Sequence, residues 1–308
     1  IIKVFGVEKV KSFFPPIITG PIIMVIGLRM SPVALAMSGY SNGKFEVKSL
    51  IIALSVLVTM IVVSILGKSF FKLVPILISV IVGYLVSMSF GIIDFTPIHA
   101  ANWIGFSKEA FSDLTAVPVF KPSSIIAIAP IAFVVFIEHI GDITTNGAVV
   151  GKDCFKNPGI HRPMLGDGLA TITAGLIGGP ANTTYGENTG VLAVTKVYDP
   201  SILRIAACYS IFLSVMGKFG AVLQTVPQPV MGGVSIILFG MIASIGVRTL
   251  IDANLDFGHS RNLILSSLIL VLGISIDNIV IWNTVSVSGL AVSAFFGVIL
   301  NKLLPADI

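Results

Sequence analysis

The sequence predicts an all-α polytopic membrane protein, and three observations carry that reading. Of 308 residues, 55% are hydrophobic and only 11% charged, with a mean hydropathy of +1.00; a soluble globular domain carries about a quarter charged residues. Apolar runs long enough to cross a hydrocarbon core of about 30 Å recur along the whole chain. The alternating segments of about ten residues that mark a transmembrane β-barrel do not occur.

The runs define ten spans, at about 14–38, 49–67, 70–92, 123–142, 163–179, 181–197, 201–217, 228–247, 259–276 and 284–303. With the first end placed in the cytoplasm, 13 of the 19 Lys and Arg fall inside and five outside, while Arg29 lies within a span. That asymmetry follows the positive-inside rule and predicts that both ends of this chain are cytoplasmic. The stretch 93–122 reads as an outside loop and "GKDCFKNPGIHRPM" as a basic inside one. A net charge of +4 is too small to suggest a nucleic-acid partner. Cys154 and Cys208 have no metal or disulfide spacing, and His99, His139, His161 and His259 are too scattered for a metal cluster.

An internal repeat is legible. "FPPIITGPIIMVIG" and "PQPVMGGVSIILFG" match Pro16, Gly20 and Gly27 against Pro229, Gly233 and Gly240, a shift of 213 residues. That shift is seven spans, an odd number, so the second copy is inverted relative to the first, as in secondary transporters. Four spans precede the second copy, whereas fifteen residues precede Pro16. The repeat therefore implies about ninety or more further residues upstream, making ten spans of a fourteen-span protein.

Ionisable side chains reach membrane depth in two places. In "PIAFVVFIEHIGDITTNG", Glu138 and Asp142 are four apart and share a helix face. In "NTTYGENTGV", Glu187 sits among polar residues between apolar runs. A carboxylate within a span costs several kcal/mol, so such groups face a cavity, a partner or a ligand. Plainer readings compete: a helix end among the headgroups for Glu138 and Asp142, and a water-exposed loop for Glu187. For His139, on a neighbouring face, a packed or capped histidine is the preferred reading. Gly178, Gly179 and Pro180 end one helix; a short extended piece, Ala181 to Tyr185, precedes a helix opening near Gly186. This predicts a discontinuous span whose half-helix N-terminus points free N–H groups into a cavity. Asn188, Thr183 and Thr184 are placed to satisfy the freed backbone groups.

A cavity with a carboxylate acceptor and N–H donors suits a small neutral ring bearing N–H and carbonyl groups, such as a nucleobase. The carboxylates also offer a proton site. An anion transporter of the sulfate-permease type remains possible on this fold, although Glu138 and Glu187 would repel its cargo. A membrane enzyme lacks a metal spacing or nucleophile–base motif, and broken spans suit alternating access better than a passive channel.

"FIEHIGDITTNG", "NTTYGENTGVLAVTKVYD" and "PQPVMGGVSIILFGMIASIGVR" resemble the uracil permeases of the nucleobase–ascorbate (nucleobase–cation symporter-2) family, whose signature is read here at Glu187-Asn188-Thr189-Gly190 and Thr195-Lys196. The resemblance runs from about residue 12 to the end. It implies an inverted-repeat fold of fourteen spans with a core and a gate domain: here 1–92 would be the first part of the gate, 93–122 an extracytoplasmic loop, 123–225 the second half of the core, and 226–308 the second part of the gate. It implies uracil import by proton symport across the inner or plasma membrane, no cofactor beyond the coupling proton, and a homodimer. Glu138, Tyr185, Gly186, Glu187 and Asn188 would hold the base with Ser235 and Phe239 from the gate side, and Glu138 and Asp142 would couple the proton. Two departures stand out. Asp142 is typical of the xanthine and urate branch, where close uracil permeases carry histidine. Phe239 replaces a gate-side tyrosine.

Overall fold

The computed structural model describes residues 15–105, 112, 115, 117–152, 154–185, 188, 192, 196–282 and 285–305. Proline sets the start of helix after helix. Pro16 opens α1 (Pro16–Arg29), Pro75 α4 (Pro75–Ser89), Pro122 α6 (Pro122–Val150) and Pro200 α8 (Pro200–Val215), and Pro229 lies in the first turn of α10 (Gln228–Asp252). At these positions the missing N–H had no intrahelical partner to lose, and the fixed φ is already helical.

The first span is not one smooth helix. α1 stops at Met30 and α2 (Ser31–Met37) restarts at once. Pro32 cannot donate to the Leu28 carbonyl four residues back; Ser31 Oγ donates to that oxygen instead, at 2.7 Å. Arg29, the one basic residue that the sequence places inside a span, reaches across to the C-terminal end of α11 (Ser260–Ser275). Its guanidinium donates to the carbonyls of Gly273 at 3.4 Å and Asp277 at 2.5 Å, and pairs with the Asp277 carboxylate at 3.5 Å. A cation is thus supplied where helix carbonyls run out of partners and the helix dipole is negative.

α10 is the central post. It packs on α1, α2, α3 (Val47–Leu66) and α4, while α1 also packs on α11 and α12 (Gly289–Leu303). Two buried clusters result: Ile17, Ile18, Ile22, Leu265, Ile269 and Ala294, and Ile52, Val56, Val230 and Val234. Lipid supplies no hydrophobic drive between helices, so close backbone approach must hold them, and small residues permit it. Gly20 faces Gly246 and Leu250, and Gly27 faces Phe239 and Ala243. α1 and α10, the two copies of the sequence repeat, therefore run antiparallel against one another. Gly233 lets α10 approach the Ala53 carbonyl of α3 in the same way.

The segments from α6 to α9 (Gly217–Gln224) are far less covered. α6 packs on α1, α12 and the strand Val285–Ser288, but no residue of α7 (His161–Leu176) or α8 is buried. Leu165, Ile172, Tyr209 and Ile211 are each at least 60% exposed, leaving long apolar faces open.

Every expected span other than 181–197, which lies in part outside the described residues, coincides with a helix, yet several boundaries differ. Among the described residues three helices are long and apolar enough to cross a membrane by themselves: Pro16–Met37, Val47–Leu66 and Gln228–Asp252. Pro200–Val215 and Gly217–Gln224 pass the same test jointly, across a bend of 84°, where the sequence suggests a single span to 217. The outer stretch carries a short helix, α5 (Thr96–Ala100), docked on that bend: Lys218 Nζ donates to the Ile98 carbonyl and Gly105 N–H to the Val215 carbonyl at 3.0 Å. Lys68 and Gly67 are followed by a tight 3-10 turn, Ser69–Leu73, that delays α4 to Pro75. The last expected span begins late, because β3 (Asn278–Trp282) and β4 (Val285–Ser288) form an antiparallel hairpin before α12. β-Branched residues fill this stretch and suit a strand pair. A smaller hairpin, β1 (Tyr40–Ser41) and β2 (Lys44–Phe45), joins α2 to α3.

Candidate functional site

The site is built around the end of α7. Gly178 takes a φ of +79°, which a side chain would resist, and reverses the chain. Gly179 N–H then donates to the Ala174 carbonyl at 2.7 Å and Gly178 N–H to Gly175 at 3.4 Å. This is a Schellman ending, and Pro180 prevents any continuation. Residues 179–185 are non-helical, as the sequence predicts, and Asn188 and Leu192 are helical again. Gly186 and Glu187, the centre of the expected site, lie outside the described residues.

Among the described residues no hydroxyl of this stretch bonds a freed backbone group; Gly186 and Glu187 lie outside them. Thr184 turns to a side chain: its Oγ1 is 2.9 Å from His139 Nδ1. Thr183 Oγ1 is buried with no partner among the described residues. Asn182 instead ties back to α7, its Oδ1 at 2.5 Å and its carbonyl oxygen at 3.1 Å from Thr171 Oγ1.

His139 is the residue whose role the sequence leaves open. It is only 3% exposed, and its Nδ1 also stands 3.7 Å from Asp167 Oδ2 on α7. It follows Glu138 directly and precedes Asp142 by three positions on α6. The contact with Thr184 therefore brings the α6 segment that bears both carboxylates alongside the stretch that ends in Tyr185. Asp142 is half-buried; Tyr185 is 69% exposed and Asn188 is exposed. Ser235 and Phe239 stand one turn apart on α10, both half-buried. α10 packs on α1 to α4 and α6 on α1, α12 and β4, so the element common to both groups is α1.

Helices long and apolar enough to cross a membrane, with carboxylates carried on a helix beside a non-helical stretch, make this a multi-pass membrane protein, and the proteins it resembles make it a transporter rather than an enzyme. The chain belongs to the Permease family, whose model matches residues 1–280. It is 42% identical over 308 residues to the uracil permease of Bacillus caldolyticus, covering 99% of this chain and 71% of that protein. Identity to the uracil permease of Bacillus subtilis is 40% over 311 residues, with 99% and 72% covered. For that of Escherichia coli K12 it is 38% over 306 residues, with 98% and 70% covered.

Proposed function

We propose that the chain imports a nucleobase, uracil, by proton symport through alternating access. The observation that supports this most directly is the 2.9 Å contact between His139 and Thr184, which sets the carboxylate-bearing segment of α6 next to the broken span. Glu138 and Glu187 accept the ring N–H groups, and the backbone N–H of Gly186 meets a ring carbonyl, with Tyr185 and Asn188 beside it. Ser235 and Phe239 close the pocket from the gate side. α1 to α4 with α10 to α12 act as the gate, and α6 to α9 as part of the core that moves against it. Both ends of the chain face the cytoplasm across the inner or plasma membrane. The relatives above, each named a uracil permease, support uracil as cargo.

One observation favours a second reading. By the resemblance, Asp142 is typical of the xanthine and urate branch, although that branch usually has Gln where this chain has Glu187, so a purine-type base is the alternative cargo. Uptake of labelled uracil by cells expressing the full-length protein separates the two when unlabelled uracil and xanthine compete. Uracil should displace the label, and a protonophore should abolish accumulation. Displacement by xanthine alone would transfer the assignment to the purine reading, and protonophore-insensitive accumulation would remove the proton from it.

A further inference from the structure

We infer that His139 is a positioning residue, which fixes the non-helical stretch 179–185 against the carboxylate-bearing segment of α6 by holding Thr184. The inference rests on the proposed nucleobase site and adds to it a residue that touches no substrate.

Among the described residues the non-helical stretch has no ladder, and two residue pairs tie its side chains to neighbouring helices. Thr171 to Asn182 is at an exposed position. His139 to Thr184 is buried at the histidine, with the imidazole 4% exposed. A buried polar contact has no water to replace it, so losing one partner leaves the other unsatisfied. The Asp167 carboxylate on the same side of the ring favours the tautomer with hydrogen on Nδ1. His139 is then the donor and Thr184 Oγ1 the acceptor, and α7 orients the ring through Asp167. One imidazole thus joins three elements: α6, α7 and the stretch between α7 and Asn188.

The sequence neighbours give the contact its consequence. Glu138 is one residue before His139, and Tyr185 one residue after Thr184. The bond therefore sets the distance between the two segments that the proposed site requires to converge on one ring. A site of this kind loses affinity when its supporting contacts loosen by as little as about 1 Å.

Four variants of the full-length transporter test this by equilibrium binding of uracil and by amide hydrogen exchange of the 179–185 segment in the ligand-free protein. Thr184→Val keeps the shape and removes the hydroxyl; His139→Gln moves the amide away from the Nδ1 position. Each should weaken uracil binding about three- to tenfold and speed exchange of the segment. Thr184→Ser keeps the acceptor, and His139→Asn keeps a donor near the Nδ1 position; both should bind as the parent does. The double variant Thr184→Val with His139→Gln should be no worse than either single one, since both remove the same bond. Parental affinity and unchanged exchange in Thr184→Val would overturn the inference, as would equal damage from Thr184→Ser. If the parent bound no nucleobase, the substrate reading would fall, while the exchange rates would still decide whether the contact holds the stretch.

Discussion

Gly27 lies against the main chain of Phe239: a β-carbon built there would stand 2.4 Å from the Phe239 carbonyl oxygen and 2.6 Å from the Ala243 nitrogen. Both obstacles are backbone, which cannot swing aside as a side chain can. The sequence repeat pairs Gly27 with Gly240, yet Gly240 has no atom of the described residues within 4 Å of its would-be β-carbon. The two positions should part company on substitution. Gly27→Ala should force α1 from α10 and lower stability by about 1–3 kcal/mol, the cost of overpacking. Gly240→Ala should be neutral, or stabilising by up to about 1 kcal/mol through helix propensity. Thermal unfolding of both variants in detergent reads the difference, and equal losses would mean that the close approach at Gly27 is not what joins the helices.

A second prediction concerns the start of α8. The Asp199 carboxylate accepts from Ser201 N–H at 2.8 Å and caps the helix. The backbone hydrogen bond from Ser201, and the side-chain bond with it, hold this carboxyl below its ordinary value of 3.8. Because the folded pKa is the lower one, the cap contributes fully above the ordinary value and is lost as pH falls through the folded one. Amide protection in the first turn of α8 should therefore be level from neutrality down to the ordinary value and fall below it. Asp199→Asn should keep the acceptor and remove that dependence, whereas Asp199→Ala should lose protection at every pH. An acid-induced loss in the Asn variant matching the parent's would assign the effect to another group.

How much of this was legible follows from where each signal resides. Helices announced themselves through apolar runs and through prolines at their starts, both local. The break after α7 was equally local, written in Gly178-Gly179-Pro180. The hairpin at 278–288 was hidden, because "NIVIW" and "VSVS" continue an apolar run and a buried strand shares its composition with a membrane helix. The bend between α8 and α9 was hidden for a different reason: Met216-Gly217 is a mild local break, and nothing in it gives an angle of 84°. His139 was beyond sequence reasoning. Its partner Thr184 is 45 residues away, and the chain alone names both residues without pairing them. The one available signal was a histidine immediately after a carboxylate at membrane depth, which reads equally well as packing.

Glu187 should be a ligand for the base rather than a structural residue. Replacing it by Gln keeps an acceptor oxygen and removes the charge, weakening a charge-assisted bond worth about 1.5–3 kcal/mol. In the full-length protein Glu187→Gln should bind uracil about ten- to a hundredfold more weakly, with membrane insertion and thermal stability unchanged. Near-parental affinity would remove Glu187 from the site. Failure to insert would instead give it a structural role.

Asp142 carries the sharpest test of the proton-symport proposal. It follows Glu138 by one helical turn on the same face, so the two carboxylates can share one proton, since like charges in a low-dielectric site do not both ionise cheaply. A histidine at this position would become positive on taking the proton. An aspartate becomes neutral, so taking the proton removes a buried charge instead of adding one. Asp142→Asn fixes the neutral state permanently. It should retain uracil binding and exchange down a gradient while losing accumulation against one. Asp142→His should keep coupling with its pH optimum moved. The measurement is uptake against a substrate gradient at several pH values, beside equilibrium binding of the same preparations. Undiminished, pH-dependent accumulation by the Asn variant would assign the proton to Glu138 alone and leave Asp142 as a charge at the edge of the membrane.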